Sequence, residues 1–310
     1  METIFITHPS FCQHEMGADH PESPVRLEAI KKHLEQTGLA KQLQEKTALK
    51  AKEEDLLRVH SLHHIAKMQQ YAPATGYYNI DGDTLLNPHT LEAAYYAAGA
   101  GVMAVDAVMS GQAQAAFCAV RHPGHHVCCQ QGMGFCFFNN VAVAAAYALE
   151  QYELDQVVII DFDVHHGNGT EDIFAHQNQV QMFGFYQYPF YPYARHAPAA
   201  ENMHNDAVPA GVGSSFIREL VTTNWLPRLR QLKPKLVFFS AGFDAHAADE
   251  LGQMQLTEDD FAWITEQVMC ATQLSAHGRA VSLLEGGYTP AALARSVAAH
   301  IKVLARLNNT

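Results

Sequence analysis

Nineteen histidines stand in a chain of 310 residues. Many adjoin aspartate, glycine or another histidine: His63-His64, His125-His126, His165-His166, and His246 two places after Asp244. A random excess would scatter, so this grouping points to metal binding or proton transfer. The densest group is Asp161-Phe162-Asp163-Val164-His165-His166-Gly167-Asn168-Gly169. If the chain stays extended there, side chains two apart share a face, and Asp161, Asp163 and His165 line up as metal-compatible groups. A lone Asp-x-Asp more often caps the next helix, but that role does not need the His-His-Gly continuation. Asp244, in Ser240-Ala241-Gly242-Phe243-Asp244-Ala245-His246, would add a third ligand and leave one position open for water, as in a catalytic zinc site.

Two further segments could complete such a site. In Arg121-His122-Pro123-Gly124-His125-His126 the proline and glycine impose a turn, so consecutive histidines can project into one pocket. A pair of imidazoles beside an activated water can take up and return protons. In Glu285-Gly286-Gly287-Tyr288 the glycines, Gly287 among them, let the backbone approach a ligand, and Tyr288 can aim its hydroxyl at a developing oxyanion.

The elements that must position these groups are legible in the apolar pattern. Runs at Thr3 to Thr7, Ala115 to Val120, Val157 to Asp161, Val180 to Phe185, Leu236 to Ser240 and Ala280 to Leu284 are continuous rather than alternating, as strands buried on both faces require. Amphipathic stretches lie between them at Pro24 to Gln36, Thr90 to Met109, Val141 to Gln151, Ser214 to Leu232, Glu258 to Leu274 and Pro290 to Leu307. Strand and helix alternate, which predicts an α/β fold with a mainly parallel sheet flanked by helices in three layers. No linker or repeat divides the chain, so one domain over 1–310 is expected. Each ligand-bearing segment follows a strand, where open parallel sheets place their sites.

Composition narrows the function. Hydrophobic residues make up 48% and charged ones 17%, ample for a large core. A net charge of −12 argues against nucleic-acid binding and favours cationic partners. No apolar run approaches membrane length, and the N-terminus lacks an export pattern, so the expected location is cytoplasmic. The six cysteines contain no C-x-x-C pair and are expected to be reduced and mostly packed. Oligomeric state is not legible.

The motifs R-x-P-G-H-H, G-F-C-x-F-N-N at Gly134 to Asn140, D-F-D-V-H-H-G-N-G-T, S-A-G-F-D-A-H and E-G-G-Y resemble, in this order and spacing, the zinc-dependent histone deacetylases and their bacterial amidohydrolase relatives. The resemblance runs from His20-Pro21-Glu22-Ser23-Pro24-Val25-Arg26 to Tyr288, and Asn168 makes it look class II-like. It implies the arginase/deacetylase fold. It also implies zinc (Fe²⁺ being the other metal this family accepts) on Asp163, His165 and Asp244, with His125 oriented by Asp161 and His126, the proton shuttle, paired with Asn168. By the same resemblance Phe135 and Tyr191 would wall a narrow channel, Gly134 would accept the substrate amide hydrogen, and Asp83 would hold substrate backbone at the rim. A structural potassium ion would use Asp161 and carbonyls of Asp163 and His165. The family's usual S-x-H and P-G-T-G are replaced here by Gly184-Phe185-Tyr186 and Pro192-Tyr193-Ala194-Arg195.

The activity so implied is hydrolysis of the acetyl amide of acetyl-lysine, in a peptide or protein, by a metal-activated water. Three rivals stand beside it. A ureohydrolase would need a two-metal site, for which Asp244-Ala245-His246 is a poor match. An acetyl-lysine-binding module with little turnover is disfavoured by Tyr288, which feeble relatives replace with histidine. An acetylpolyamine deacetylase keeps the same chemistry, but that branch carries a glutamate at the rim where Leu251 stands here, with Glu250 one residue away.

Overall fold

The computed structural model describes residues 2–193 and 200–307; Ala194 and Arg195, part of the departure from the family pattern, lie outside them. Eight strands form one parallel sheet: β1 (Thr3–Thr7), β2 (Leu43–Thr47), β5 (Ala115–Cys118), β6 (Val157–Asp161), β7 (Val180–Gln187), β8 (Met203–Val208), β9 (Leu236–Ala241) and β10 (Ala280–Leu284). Their order is β2-β1-β5-β10-β9-β6-β7-β8. Between β2 and β5 a small antiparallel hairpin pairs β3 (Tyr78–Asn79) with β4 (Leu85–Leu86).

Helices cover both faces: α1 (Val25–Gln36), α2 (Glu53–Leu57), α3 (Leu62–Tyr71), α4 (Thr90–Met109), α5 (Asn140–Gln151), α6 (Asn168–Phe174), α7 (Ser214–Leu220), α8 (Leu226–Leu232), α9 (Glu258–Ala276) and α10 (Pro290–Leu304). Successive strand residues point to opposite faces. In β10, Ser282 Oγ meets His300 of α10 at 2.9 Å, while Leu283 faces α4, where a Cβ on Gly101 would lie 3.1 Å from it. Three layers therefore enclose the sheet in a single domain, and every residue of β5, β6, β9 and β10 is buried. Among the described residues no helix is long and apolar enough to cross a membrane.

The structure differs from the sequence reading in several places. The edge strands β2 and β8 were not expected; Leu-Gln-Glu-Lys-Thr is mostly exposed and lacks the apolar run of a central strand. The helix expected over Ser214 to Leu232 is α7 and α8 joined by a π-helical turn at Val221–Trp225. All six cysteines are free, but only Cys118 and Cys136 are buried. Finally, β6 stops at Asp161, whose Oδ1 accepts the Asp163 N–H at 3.1 Å and turns the chain. The extended run through His165 does not form; a loop brings Asp163 and His165 together instead.

Candidate active site

The four central neighbours β5, β10, β9 and β6 each release a loop from their carboxyl ends. Because the sheet is parallel, all four loops leave the same edge, which gathers segments more than a hundred residues apart in sequence. Asp163, His165 and Asp244 meet there, with one ligand atom from each within 4.8 Å of the others. His165 Nδ1 lies 3.0 Å from Asp163 Oδ1 and 3.2 Å from Asp244 Oδ2. Burial alone would lift the Asp163 carboxyl, but the adjacent His125 and His165 hold it well below the carboxylate range. Burial and the Asp163 charge push Asp244 upward, and burial's downward pull on His165 is outweighed by hydrogen bonds to both carboxylates.

Two observations test whether this cluster fits a divalent cation. Asp244 Oδ1 accepts the Val164 N–H at 2.8 Å, whereas its buried Oδ2 faces, among the described residues, only the His165 ring, at 3.2 Å, through a nitrogen it shares with Asp163. Buried carboxylate oxygens so sparsely partnered cost free energy unless something charged completes them. The backbone also makes room: a Cβ on Gly286 would lie 2.0 Å from Asp244 Oδ2, and one on Gly242 2.0 Å from Asp163 Oδ2. Two carboxylates and an imidazole suit zinc, so donors and space agree.

His125 and His126 pack against this cluster, their ring centroids 4.1 Å apart. His125 Nδ1 pairs with Asp161 Oδ2 at 3.0 Å; burial would lower its pKa, but Asp163 and Asp161 raise it well above the ordinary value. His126 is the opposite case. Burial and the neighbouring His125 and His165 drive its pKa well below the ordinary value. Its Nδ1 lies 2.8 Å from Asn168 Oδ1, an acceptor, so Nδ1 carries the proton and Nε2 keeps a free lone pair. Asp161 thus stands behind His125 rather than with the metal-compatible cluster.

Sequence reasoning quoted Glu285, Glu22 and Arg26 but gave them no task. Glu285 Oε2 accepts the Gly124 N–H at 2.6 Å and the His125 N–H at 3.2 Å, while Oε1 takes the Ser240 hydroxyl at 2.7 Å. This carboxylate shapes the turn under the histidine pair, and burial lifts its pKa to about 7 against the opposing pull of His125. Arg26 donates to Gly287 O at 2.7 Å and to Glu285 O, with its guanidinium 4.9 Å from the Tyr288 ring centroid. Glu22 pairs with Arg121 through two bonds of 2.6 and 2.8 Å and with Arg26 at 3.2 Å, all of it buried. Apart from Glu22 and Arg26, which are four residues apart, these partners lie too far apart in sequence for spacing to reveal them. Tyr288, half-buried, has its hydroxyl pKa raised well above the ordinary value by burial first, so it stays a donor.

The rim is placed more loosely. Phe135 packs edge-on against Tyr288 at 5.8 Å, and Tyr191 against His126 at 5.2 Å, so both expected wall residues face the site. Phe190, not anticipated, stacks on His165 at 5.4 Å. Gly134 sits at φ +59°, and a Cβ there would lie 2.9 Å from the Tyr191 hydroxyl oxygen; only glycine fits without a shift. Asp81, rather than Asp83, accepts the Gly134 N–H, at 3.3 Å, while Asp83 is exposed and meets His20 only through its carbonyl. Leu251 is half-buried and Glu250 exposed. His246 turns to Glu258 at 3.0 Å, and its Nδ1 accepts the Ala248 N–H, so it supplies no ligand for a second metal.

A family model described as the histone deacetylase domain matches residues 20–304. This chain belongs to the histone deacetylase family. It is 36% identical over 283 residues to the histone deacetylase-like amidohydrolase of Pseudomonas aeruginosa, covering 89% of this chain and 74% of that one. It is 33% identical over 337 residues to the human polyamine deacetylase HDAC10, covering 98% of this chain but 48% of that protein. The solved HDA15 HD domain superposes with a TM-score of 0.93 at 29% identity, over 100% of this chain and 90% of that domain. The family and the amidohydrolase relatives make this protein a deacetylase-type hydrolase with the arginase/deacetylase fold.

Proposed function

We propose that this histone deacetylase is zinc-dependent over a catalytic domain spanning 1–310 and hydrolyses the acetyl amide of acetyl-lysine. The observation that carries the reading is the buried convergence of Asp163, His165 and Asp244 beside His126, whose pKa burial and neighbouring imidazoles drive well below the ordinary value. Asp163, His165 and Asp244 would hold the ion. Zinc bound there supplies Lewis acidity, polarising a carbonyl and making a water a better acid. His126 Nε2 takes the proton of the attacking water, and the same proton returns to the leaving amine as the C–N bond breaks. Acetate and free amine result. His125, oriented through Nδ1 by Asp161 at 3.0 Å, flanks the carbonyl side. The Tyr288 hydroxyl donates to the oxyanion developing on the substrate carbon.

Phe135 and Tyr191 form the walls along which the aliphatic stem of the substrate lies, with Gly134, Gly287, Asp83 and Leu251 around the entrance. A potassium ion under the site would take oxygen ligands from Asp161 and from the Asp163 and His165 carbonyls, a donor set that suits a hard cation. Asn205 Oδ1 is buried there without a partner among the described residues. It stands beside Gly184, where a Cβ would lie 2.8 Å from it and 3.1 Å from Asp161 O.

A second reading, acetylpolyamine as substrate, is favoured by the exposed Glu250 carboxylate beside Leu251 and by the similarity to a human polyamine deacetylase. Acetate release from an acetyl-lysine peptide and from acetylspermidine, measured side by side, separates them. A higher kcat/KM for the peptide is expected. Preference for acetylspermidine that Glu250→Gln abolishes would move the substrate class to polyamines.

A further inference from the structure

Tyr288 follows two glycines, and nothing in a Gly-Gly turn packs to fix what comes after it. Gly287 sits at φ +114°, and at Gly286 any side chain would strike the Asp163 and Asp244 oxygens. Beyond the contacts of the Tyr288 ring with Arg26 and Phe135, the turn itself is held by hydrogen bonds to its backbone. On one side Arg26 grips Gly287 O. On the other, the buried carboxylate of Asp249, five residues past Asp244, accepts the Tyr288 N–H at 2.6 Å and the Thr289 N–H at 3.0 Å through Oδ2. Its Oδ1 accepts the Leu251 N–H at 3.0 Å. One carboxylate therefore ties the hydroxyl-bearing turn after β10 to the rim of the loop after β9.

We propose that Asp249 is a positioning residue: it sets the placement of the Tyr288 hydroxyl and couples it to the substrate rim at Leu251. The proposal rests on the reading of Tyr288 as the oxyanion donor. A carboxylate is required because both oxygens accept, and hydrogen bonds from backbone N–H groups to an ionised acceptor are stronger than neutral ones. Asparagine has the same shape but one accepting oxygen, so Asp249→Asn must lose either the Leu251 bond or the Tyr288 and Thr289 pair. The competing explanation is purely structural. Thr289 is the N-cap of α10 and makes no side-chain cap bond of its own, so Asp249 also supports that helix start. Loss of a cap lowers stability but does not act through the Tyr288 hydroxyl.

The test is a double-mutant cycle. Asp249→Asn and Asp249→Ala are made in the wild-type and Tyr288→Phe backgrounds, and kcat, KM, bound zinc and melting temperature are measured with an acetyl-lysine peptide. Tyr288→Phe alone should lower kcat by about 10²- to 10³-fold. Asp249→Asn alone should lower kcat by about 10- to 100-fold, the size of a loss from misplacing a catalytic group, with zinc retained. In the Tyr288→Phe background it should cost almost nothing further, because the hydroxyl it places is gone. An equal kcat loss in both backgrounds, or none in either, overturns the role of Asp249 and leaves that of Tyr288 standing. An unchanged kcat in Tyr288→Phe alone overturns the Tyr288 reading itself. If Asp249→Ala does not fold, the Asn variant carries the same comparison.

Discussion

At the scale of single residues, two neighbouring aspartates on one loop are given different work by what they touch. Asp163 shares its oxygens with His165 and the Gly286 N–H, inside the cluster that would hold zinc. Asp161, two residues earlier, spends one oxygen on the Asp163 N–H and the other on His125. Asp163→Asn should therefore lose bound zinc and activity together, as should His165→Ala. Asp161→Asn should keep most of its zinc while turnover falls about 10- to 100-fold, the usual cost of removing a group that orients another. Metal content by elemental analysis alongside kcat checks both; zinc lost equally in the two variants would place Asp161 among the ligands. The types of these residues and their strand-end position were readable in sequence. The division of labour came only from the family resemblance and not from spacing, because it depends on β6 ending at Asp161 instead of running on, and a period of two carries no signal for where a strand stops.

At the scale of elements, the central strands could be read because both their faces are buried, which leaves continuous apolar runs. The edge strands β2 and β8 carry polar residues on an open side and gave no such run, and the short helices α2, α3 and α6 are too brief for periodicity to register. Tertiary struts were equally hidden: Glu285 under His125, Arg26 on Gly287, and Asp249 across two loops all join residues whose spacing in the chain has no regular meaning. The loop after β9 also carries the selectivity prediction. On the proposed reading the half-buried Leu251 lies at the substrate rim, so Leu251→Glu should raise kcat/KM for acetylspermidine relative to an acetyl-lysine peptide. A half-buried carboxylate meeting a distal ammonium should give a gain of roughly 10-fold. No change in that ratio would mean the substrate does not pass Leu251.

At the scale of the whole molecule, the fold that gathers the site also buries histidines outside the metal cluster, and these make stability depend on pH. Burial lowers His60, His122 and His300 to about 3. His300 lies between the Thr265 and Ser282 hydroxyls, and His60 accepts the Asn139 N–H, so the neutral rings are satisfied in place. Below about pH 6.5 the unfolded chain protonates these rings and the folded chain does not, so unfolding takes up protons. Their stabilisation is complete above that pH and is lost as pH falls toward 3, by about 1.4 kcal/mol per pH unit for each histidine. His125, raised instead, is protonated in both states below about pH 6.5 and drops out of that window. Melting temperature should thus fall between about pH 7 and pH 5; a flat profile would contradict neutral burial of these rings.

The central claim concerns the metal, and the most direct measurement is acetate release from an acetyl-lysine peptide before chelation, after removal of bound metal, and after zinc is returned. The geometry of one three-ligand cluster among the described residues predicts about one zinc per chain, loss of turnover with its removal, and recovery on add-back. Undiminished acetate release from protein shown to hold no metal would contradict the account.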